Sequence, residues 1–398
     1  MRPVTRRSAP ALLGLAVLLS AGAIRQGHER YAPQEWKSYT VTRFARSVAA
    51  GPRFVGLGTE GGLLFYDRLS DRWSAPLTRA DGIPATQIVE IVLRKDGRFQ
   101  VRTRREVGVV DPLTMRYTPE PFAAQPPPPP SLLSLPNNLF MDPDYLYLPD
   151  GRISGPAGIS VPIVGTAPDE GARLWVITWG LGAGLADLRT LGLEMKPQGL
   201  WVSDVRALVV EAGRVIAGGS GEVDPTGGIT EWEQRSGAWR YTLASDTRGL
   251  LSDRVPGRAP GGRHLWVGVW GGGARRDGRG AWRTWTRRDG LPDDRTTALA
   301  AGAGAVWVGT FRGAVAVAGD TLTPLPLPAD RAVLDVSVGA GGVWWATEGG
   351  AYGYRGRWPE GRVVQLDHPE GRLDGQVDGV GTWGSEVWWG GPMGVVAY

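Results

Sequence analysis

Short apolar runs recur along this chain, and each leads through a glycine-containing turn into a second apolar run. The stretch Ala305–Val317 reads AVWVGTFRGAVAV, and HLWVGVWGGGARR (His264–Arg276) and GVWWATEGGAYGY (Gly342–Tyr354) have the same form. Runs rich in Val, Trp and Tyr that are separated by glycine turns are strand and hairpin signals. No helical apolar periodicity of useful length follows residue 30. The pattern therefore predicts an all-β chain built from repeated hairpins.

The hairpins belong to a longer repeat of four strands. In the unit that begins near Thr297, TTALAAG, AVWVGT, GAVAVAG and TLTPLPL give four strands in succession. The step to the next unit is about 37 to 50 residues, a period with four strands per unit that is typical of β-propeller blades. The second strands of the units begin near Phe54, Phe99, Leu174, Val215, Leu265, Val306, Val343 and Val387. We therefore expect a single propeller of eight four-stranded blades, or seven if one weak unit near Phe99 or Val215 is misread.

The inner strands are apolar on both sides, as in Val306-Trp307-Val308 and Val343-Trp344-Trp345. A blade that packs against a neighbour on each face needs such strands, whereas a sheet with one wet face alternates apolar and polar residues. The one long gap between units holds five consecutive prolines, residues 126–130. Polyproline cannot donate to a strand ladder. We interpret Pro121–Gly165 as an insertion within a propeller that spans residues 35–398, with a small hairpin at Tyr145–Ser154.

The two ends of the chain suggest how the ring closes. The last unit supplies three strands before Tyr398, and the fourth is missing. The stretch EWKSYTVT (Glu35–Thr42) resembles a fourth strand such as AWRTWTRR (Ala281–Arg288). We expect this N-terminal strand to pair in the C-terminal blade, because closure removes exposed sheet edges.

The N-terminus predicts export. MRPVTRRS is basic, APALLGLAVLLSAGA is apolar, and Ala21-Gly22-Ala23 fits a signal peptidase site, so residues 1–23 form a predicted signal peptide. The alternative is an uncleaved N-terminal anchor. The chain has no cysteine, which excludes a lipoprotein anchor, disulfides, thiolate metal sites and cysteine nucleophiles. We expect a periplasmic or secreted protein.

The basic pI near 9.5 does not predict nucleic-acid binding. Of the 44 Lys and Arg residues, Arg2, Arg6 and Arg7 lie in the leader, and the remaining 41 stand against 40 acidic residues. No cluster of basic residues forms a stripe of the kind that binds a phosphate backbone. No nucleic-acid partner is expected.

Two motifs resemble a known family. The WVGT..G form and the DG(I/L)P segment that follows it are similar to the two-component regulator propeller repeat of bacterial periplasmic sensor regions and related exported propellers. The resemblance covers about residues 35–120 and 170–398. It implies a propeller that binds something, but the transmembrane helix and kinase output domain usual in that family's sensors are not found in this sequence. The instances are VGLGTEGG (Val55–Gly62), LWVGVWGG (Leu265–Gly272), VWVGTFRG (Val306–Gly313), RADGIPATQIV (Arg79–Val89) and RRDGLPDDRTT (Arg287–Thr297).

Motifs of catalysis and cofactor binding are weak. The glycines at 56, 58 and 61 match a dinucleotide fingerprint, but a second strand follows where a helix is required, so a hairpin turn is expected. The DG(I/L)P segments are read as turns, because Asp accepts local backbone bonds and Gly supplies a positive φ. His264 and His368 are isolated, and the pairs Asp142/Asp144 and Asp293/Asp294 leave a calcium site open only as an alternative. No catalytic residue, cofactor or metal is predicted.

The turns between second and third strands and the connections into the first strands should emerge on one face of a propeller. We call this face the turn face. Exposed aromatic residues there suit a binding hot spot, although they could equally pack on neighbouring hairpins. The expected function is that of a non-enzymatic binding module or envelope scaffold. Its partner would be a protein, including membrane proteins reached from the periplasmic side, or a small ligand. The alternative is a lyase or glycosidase-like enzyme with an axial active site. The candidate residues are Glu60, Arg104, Trp179, Ser220, Trp270, Phe311, Arg312, Glu348 and Pro392.

Overall fold

The computed structural model describes residues 37–121 and, from residue 135 onward, all but short stretches at 137–138, 142–144, 156–157, 212, 220–226, 245–246, 248, 253–254, 256 and 262–263. Within these residues the protein is all-β, with short 3₁₀ helices at Arg79–Asp81 and Arg287–Asp289. None of the helices described has the length and hydrophobicity that a membrane crossing requires. The predicted signal peptide, residues 1–23, lies outside the described residues.

The described strands form eight sheets, one for each predicted repeat, in which every pairing is antiparallel except one in sheet III. We number the sheets I to VIII in chain order. Sheet I has β1 (Ala45–Ala50), β2 (Phe54–Thr59), β3 (Gly62–Asp67) and β4 (Arg72–Trp73), and sheet II has β5 (Ile88–Leu93), β6 (Phe99–Thr103), β7 (Val107–Asp111) and β8 (Arg116–Glu120). Sheet III has β9 (Phe140–Met141), β10 (Leu146–Tyr147), β11 (Arg152–Ser154), β12 (Ser160–Pro168), β13 (Arg173–Thr178), β14 (Gly182–Asp187) and β15 (Gly192–Lys196). Sheet IV has β16 (Val205–Glu211), β17 (Arg214–Gly219), β18 (Gly228–Glu233) and β19 (Trp239–Thr242).

The second half of the chain continues the series. Sheet V has β20 (Gly257–Gly261), β21 (His264–Val269), β22 (Gly272–Arg276) and β23 (Trp282–Trp285), and sheet VI has β24 (Thr296–Gly302), β25 (Ala305–Thr310), β26 (Gly313–Ala318) and β27 (Thr321–Pro324). Sheet VII has β28 (Val333–Gly339), β29 (Gly342–Thr347), β30 (Gly350–Arg355) and β31 (Arg362–Leu366), and sheet VIII has β32 (Gly379–Trp383), β33 (Glu386–Gly391) and β34 (Gly394–Ala397).

Sheet III is larger than the others because the predicted insertion adds strands to it. The hairpin expected at Tyr145–Ser154 is present, since β10 pairs antiparallel with β11. Strand β11 continues into pairing with β12, and β9 adds to the opposite edge, parallel to β15. The run of five prolines lies outside the described residues.

Sheet VI shows how consecutive sheets pack. In β25, Trp307 lies in a buried cluster with Val333 of sheet VII, whereas Val306 and Val308 lie in a cluster with Trp266 of sheet V. Alternate residues of a strand point to opposite faces of its sheet. We call the side of Trp307 the next-sheet face and the side of the two valines the previous-sheet face.

Sheets V and VII follow the same rule. Trp266 packs toward sheet VI and Trp344 toward sheet VIII, while the neighbouring Leu265 and Val343 face the preceding sheets. The second strands of sheets V to VII are therefore apolar on both faces, as predicted, whereas β6 of sheet II has Gln100 and Arg102 on one face. Burying one indole removes about 150–250 Å² from water, which stabilises the junction by several kcal/mol at about 25 cal/mol per Å².

Sheet I departs from chain order, because it lies between sheets II and III. Leu63 of β3 packs with Ile88 of sheet II. Tyr66 of the same strand faces the other way, and its ring centroid lies 5.2 Å from that of Trp175 in sheet III.

The expected closure by the N-terminal strand is wrong for the residues described. Sheet VIII has three strands, and residues 37–43 form no strand. Instead, the Leu200 amide donates to the carbonyl of Thr40 (3.0 Å) and the Thr42 hydroxyl donates to the carbonyl of Gln198 (3.1 Å). Arg43 is buried and donates to the carbonyls of Trp201 (3.1 Å) and Gly180 (3.0 Å). The segment 37–43 therefore makes its hydrogen bonds to loops at sheet III and does not pair as a strand in sheet VIII.

Candidate binding face

A buried threonine ends the second strand of several sheets and fixes the turn that follows. The Thr310 hydroxyl donates to the carbonyl of Gly313 (2.8 Å) and accepts from the amide of Arg312 (3.2 Å). Gly313 has φ +88°, a left-handed conformation that glycine adopts without strain. The turn tip, Phe311 and Arg312, is therefore held on a fixed backbone. The same hydroxyl-to-carbonyl bond is made by Thr59, Thr178 and Thr347.

The turn tips lie beside the entries to the first strands, as the sequence predicted. The Phe311 amide donates to the carbonyl of Arg295 (3.1 Å), and the Glu348 amide donates to that of Ala332 (3.0 Å). In sheet I, the Glu60 amide donates to the carbonyl of Phe44 (3.1 Å). In each of these sheets the turn tip and the strand entry therefore lie side by side at the turn face.

The DG(I/L)P segments are turns, as predicted. In the second of them, the Asp289 carboxylate accepts from the Thr286 amide at 2.8 Å, and Gly290 has φ +110°. Asp81 makes the same 2.8 Å bond to the Thr78 amide in the first segment. The apolar residue after each glycine, Leu291 in the second segment, is buried. These segments position the strand entries.

The structure brings Trp270 and Phe311 together through an arginine that the sequence did not single out. Trp270 forms an isolated β-bridge with Arg295, whose guanidinium carbon lies 4.3 Å from the ring centroid of Phe311. The Arg295 Nε donates to Asp293 Oδ1 (2.9 Å), and the Arg312 Nε lies 3.8 Å from Asp293 Oδ2. Trp270 and Phe311 remain 42% and 37% exposed. We call these five residues the Arg295 cluster.

A second group has a similar composition, with one arginine instead of two and with Glu and Gln beside its aromatic rings. The Arg46 guanidinium carbon lies 4.9 Å from the ring centroid of Trp179 and forms an ion pair with Glu60. Gln87 Nε2 donates to both Glu60 oxygens at 2.7 Å, and the Phe44 ring centroid lies 5.4 Å from that of Trp179. Trp179 remains 36% exposed. We call these five residues the Arg46 cluster.

The other predicted residues join neither cluster. Arg104 and Pro392 are exposed, and Ser220 lies outside the described residues. Glu348 Oε2 accepts from the Ala332 amide (3.2 Å), a contact within its own sheet. Arg46 and Arg295 were not selected from the sequence. Each is adjacent in sequence to the residue at which the first strand of its sheet begins, Ala45 and Thr296, and this shared position could have identified them.

The Asp293/Asp294 pair is occupied by protein donors. Hydrogen bonding from the Arg295 side chain, followed by its amide and charge, lowers the pKa of Asp293. Asp294 Oδ1 accepts from the Arg287 amide (2.6 Å). The carboxylates that could have held calcium therefore organise the turn face. Asp142 and Asp144 lie outside the described residues.

A charged cleft of about 800 Å³ lies away from the turn face, lined by sheets IV and V with contributions from sheet III. The buried Glu231 accepts from Arg276 Nη2 (2.8 Å), and Arg214 Nη2 donates to Glu211 (2.9 Å). The hydroxyl of Tyr241 donates to the carbonyl of Gln198 (3.0 Å), and burial raises its pKa. Glu211 and Glu231 are ion-paired within or between the sheets, whereas Asp277 accepts from the backbone amides of Arg279 and Ala281.

No family model matches this sequence, and no curated protein matches it. Among solved structures, PorZ, an essential surface component of the type-IX secretion system of Porphyromonas gingivalis, matches with 15% identity and a TM-score of 0.44, over 89% of this chain and 54% of its own. The extracellular domain of the putative hybrid two component system BT3049 from B. thetaiotaomicron matches with 16% identity and 0.39, over 87% and 48%. The computationally designed Ika8 protein matches with 13% identity and 0.38, over 90% and 98%. Similarity at this level assigns neither a family nor a ligand to the chain.

Proposed function

We propose that this chain is an exported, non-enzymatic binding module of the β-propeller class, whose eight sheets are its blades. The predicted leader directs it to the periplasm or the exterior, and its turn face contacts a protein partner. Support for the class comes from eight sheets at the repeat period, each apolar on the faces that adjoin its neighbours. Closure by the N-terminal strand is not included, because residues 37–43 bond to sheet III.

The Arg295 cluster carries the proposal. Exposed aromatic rings are costly to order, yet here the Phe311 ring is held by a guanidinium that Asp293 fixes in turn. The ring is therefore preorganised on a rigid turn, which lowers the entropy lost when a partner binds. Because Asp293 offsets the charge of Arg295, the surface offers aromatic area together with the one remaining positive charge of Arg312.

The composition of both clusters favours a protein as the partner. Trp, Tyr and Arg are enriched among the few residues that dominate binding energy in protein interfaces. Trp179 with Arg46, and Trp270 with Arg295 and Arg312, repeat this composition at two places on the turn face. A scaffold in the cell envelope would need such contact points.

The experiment is affinity capture from the native envelope after cross-linking, comparing wild type with the double variant Trp270→Ala/Phe311→Ala. Each ring is more than one third exposed, so the variant should fold. We expect recovery of the partner to fall at least about tenfold, the effect of losing one or two hot-spot residues.

The matched control is Leu69→Ala/Leu113→Ala, which removes two exposed apolar side chains from the turns after β3 and β7. It should recover the partner as wild type does. Equal recovery by both double variants, or recovery of no specific protein by wild type, would refute the proposed role of the turn face.

A further inference from the structure

The junction between sheets IV and V departs from the repeat at the strand position that holds a buried tryptophan in later sheets. The third residue of β21, β25 and β29 is Trp266, Trp307 and Trp344 in turn, and each is buried against the next sheet. The third residue of β17 is Ile216, which is buried against sheet V from the same step. Sheets IV and V therefore meet with a smaller side chain where the later junctions have an indole.

The smaller side chain leaves one end of this junction open. In sheet VI, the Trp307 Nε1 donates to the carbonyl of Gly302 (2.9 Å), so the indole reaches from β25 to the last residue of β24. The last residue of β16 is Glu211, and Ile216 has neither the length nor the donor to reach it. Glu211 instead lines the charged cleft of about 800 Å³. The cleft therefore lies at the end of the junction that an indole closes in sheet VI.

Two charged residues line the cleft at steps that are apolar in sheet VI. Glu231 of β18 and Arg276 of β22 occupy the strand steps of Ala316 and Val317 in β26, both of which are buried. The two charged side chains pair across the junction, with Arg276 Nη2 donating to Glu231 (2.8 Å). Apolar residues of similar volume often stabilise a buried position as well as an ion pair does or better. Stability alone therefore does not explain the charges, which give the cleft a polar wall.

The charges in the cleft leave two arginines over. The two glutamates that line it are bonded to two of its four arginines, and Asp277 accepts from amides of its own turn. The other two arginines, Arg240 of β19 and Arg279 of the turn after β22, are exposed. Neither guanidinium has a hydrogen bond or an ion pair with a described residue. Four arginines against three carboxylates give the lining a net positive charge.

We propose that the cleft between sheets IV and V binds a small anionic ligand, whose carboxylate or phosphate group is held by Arg240 and Arg279. A guanidinium fits the oxygens of either group with two parallel hydrogen bonds. The cleft volume of about 800 Å³ lies within the range of about 300–1,000 Å³ for small-molecule sites. The cleft lies at the strand ends opposite the turn face and shares no residue with the Arg295 or Arg46 cluster. This site is therefore independent of the proposed protein contact.

Saturation-transfer NMR titrations of the purified protein with glucose, glucuronate and glucose 6-phosphate test this. The three probes share one sugar ring and differ in the group at carbon 6, which is a hydroxyl, a carboxylate or a phosphate. We expect at least one of the two anions to bind about tenfold or more tightly than glucose, the effect of gaining a charge-assisted hydrogen bond. The tighter anion identifies the acid group that the site prefers. Binding of neither anion, or equal binding of glucose, overturns the proposal.

Charge-reversal variants locate the bound anion. Arg240→Glu and Arg279→Glu should each raise its dissociation constant by about tenfold or more. Both side chains are exposed, so circular dichroism spectra should match wild type. The matched control is Arg357→Glu/Arg362→Glu, which changes two exposed arginines in the corresponding turn and outer strand of sheet VII. The control should bind the anion as wild type does. An equal loss in the control would mean that the anion responds only to overall charge, which contradicts a site in the cleft.

Ile216→Trp tests whether the open end of the junction is the space that the ligand uses. It restores the residue of the later sheets, and its indole would extend toward Glu211 as that of Trp307 extends toward Gly302. We expect the variant to lose anion binding by about tenfold or more while Arg240 and Arg279 stay in place. Circular dichroism establishes that it is folded. Unchanged binding by the folded variant would place the anion outside the cleft and overturn the proposal.

Discussion

Strands β25 and β33 share Val, Trp and Gly at the same three of their six positions and have opposite surroundings. AVWVGT places Trp307 between two buried valines, and EVWWGG places Trp388 at the same step. Trp307 is fully buried, and its indole Nε1 donates to the carbonyl of Gly302 (2.9 Å). Trp388 is 43% exposed, and its indole Nε1 donates to Glu386 (3.1 Å). The strand pattern is thus a local property, whereas burial depends on whether another sheet follows.

The largest predicted effect is a difference in the free energy of unfolding between variants at these two tryptophans. Trp307→Ala should lower the free energy of unfolding by about 3–5 kcal/mol, the range for emptying a packed aromatic site. Trp388→Ala should change it by less than about 0.5 kcal/mol, as exposed substitutions do. Denaturant titration measures both.

Trp344→Ala serves as the control, because it is buried like Trp307 but at the junction with sheet VIII. It should behave like Trp307→Ala. Similar losses for Trp307→Ala and Trp388→Ala would mean that sheet VIII is covered in solution by part of its own chain.

The sequence was sufficient to predict the four-stranded repeat and to predict which inner strands are apolar on both faces. The run at Val306–Val308 shows apolar residues on both sides, and both sides are buried. It was misleading at Glu35–Thr42, where the resemblance to Ala281–Arg288 predicted a fourth strand. The deciding partners there are backbone carbonyls at Gln198 and Trp201, and such long-range hydrogen bonds leave no periodic trace in the sequence.

The candidate site was predictable only in part, for a similar reason. Trp270 and Phe311 were found because a turn tip is exposed wherever its sheet lies. Arg295 and Asp293 were missed as members of the site, because they gain their role from contact across a turn that is distant in sequence from Trp270. Arg46 was missed because its aromatic partner, Trp179, belongs to sheet III, and the sequence does not reveal that sheet III lies beside sheet I.

A smaller effect should appear at the glycines that follow the two tryptophans. Gly309→Ala should cost about 1–3 kcal/mol, because its Cβ would lie 2.6 Å from Val333 and the sheets must move apart. Gly390→Ala should be neutral or stabilise by up to about 1 kcal/mol through a less flexible unfolded chain, because its Cβ would have no described atom within 4 Å. Thermal unfolding of the two variants beside wild type gives the difference. A cost at Gly390 as large as that at Gly309 would contradict the open space beside sheet VIII.

The smallest effect concerns pH at the last junction between sheets. Asp335 of β28 accepts from the Val380 amide in β32 (3.0 Å) and from the Val336 amide (2.8 Å). Burial raises the pKa of Asp335 above its usual value, although these two bonds oppose the rise. The folded state therefore holds a proton more tightly than the unfolded chain does. Its contribution is greatest below the ordinary aspartate pKa of about 3.9 and is lost as pH rises through the higher folded pKa.

Asp335→Asn removes the ionisation, so the fall in unfolding free energy across that pH range should become shallower. The overall stability should drop slightly, because the amide nitrogen cannot accept from Val380. Chemical denaturation at pH steps between about 3.5 and 6.5, around the ordinary aspartate pKa, gives the two slopes. Asp330→Asn is the control, since that aspartate is exposed and should leave the slope as in wild type. An unchanged slope in Asp335→Asn would mean that Asp335 is solvated, and hence that sheet VIII separates readily from sheet VII.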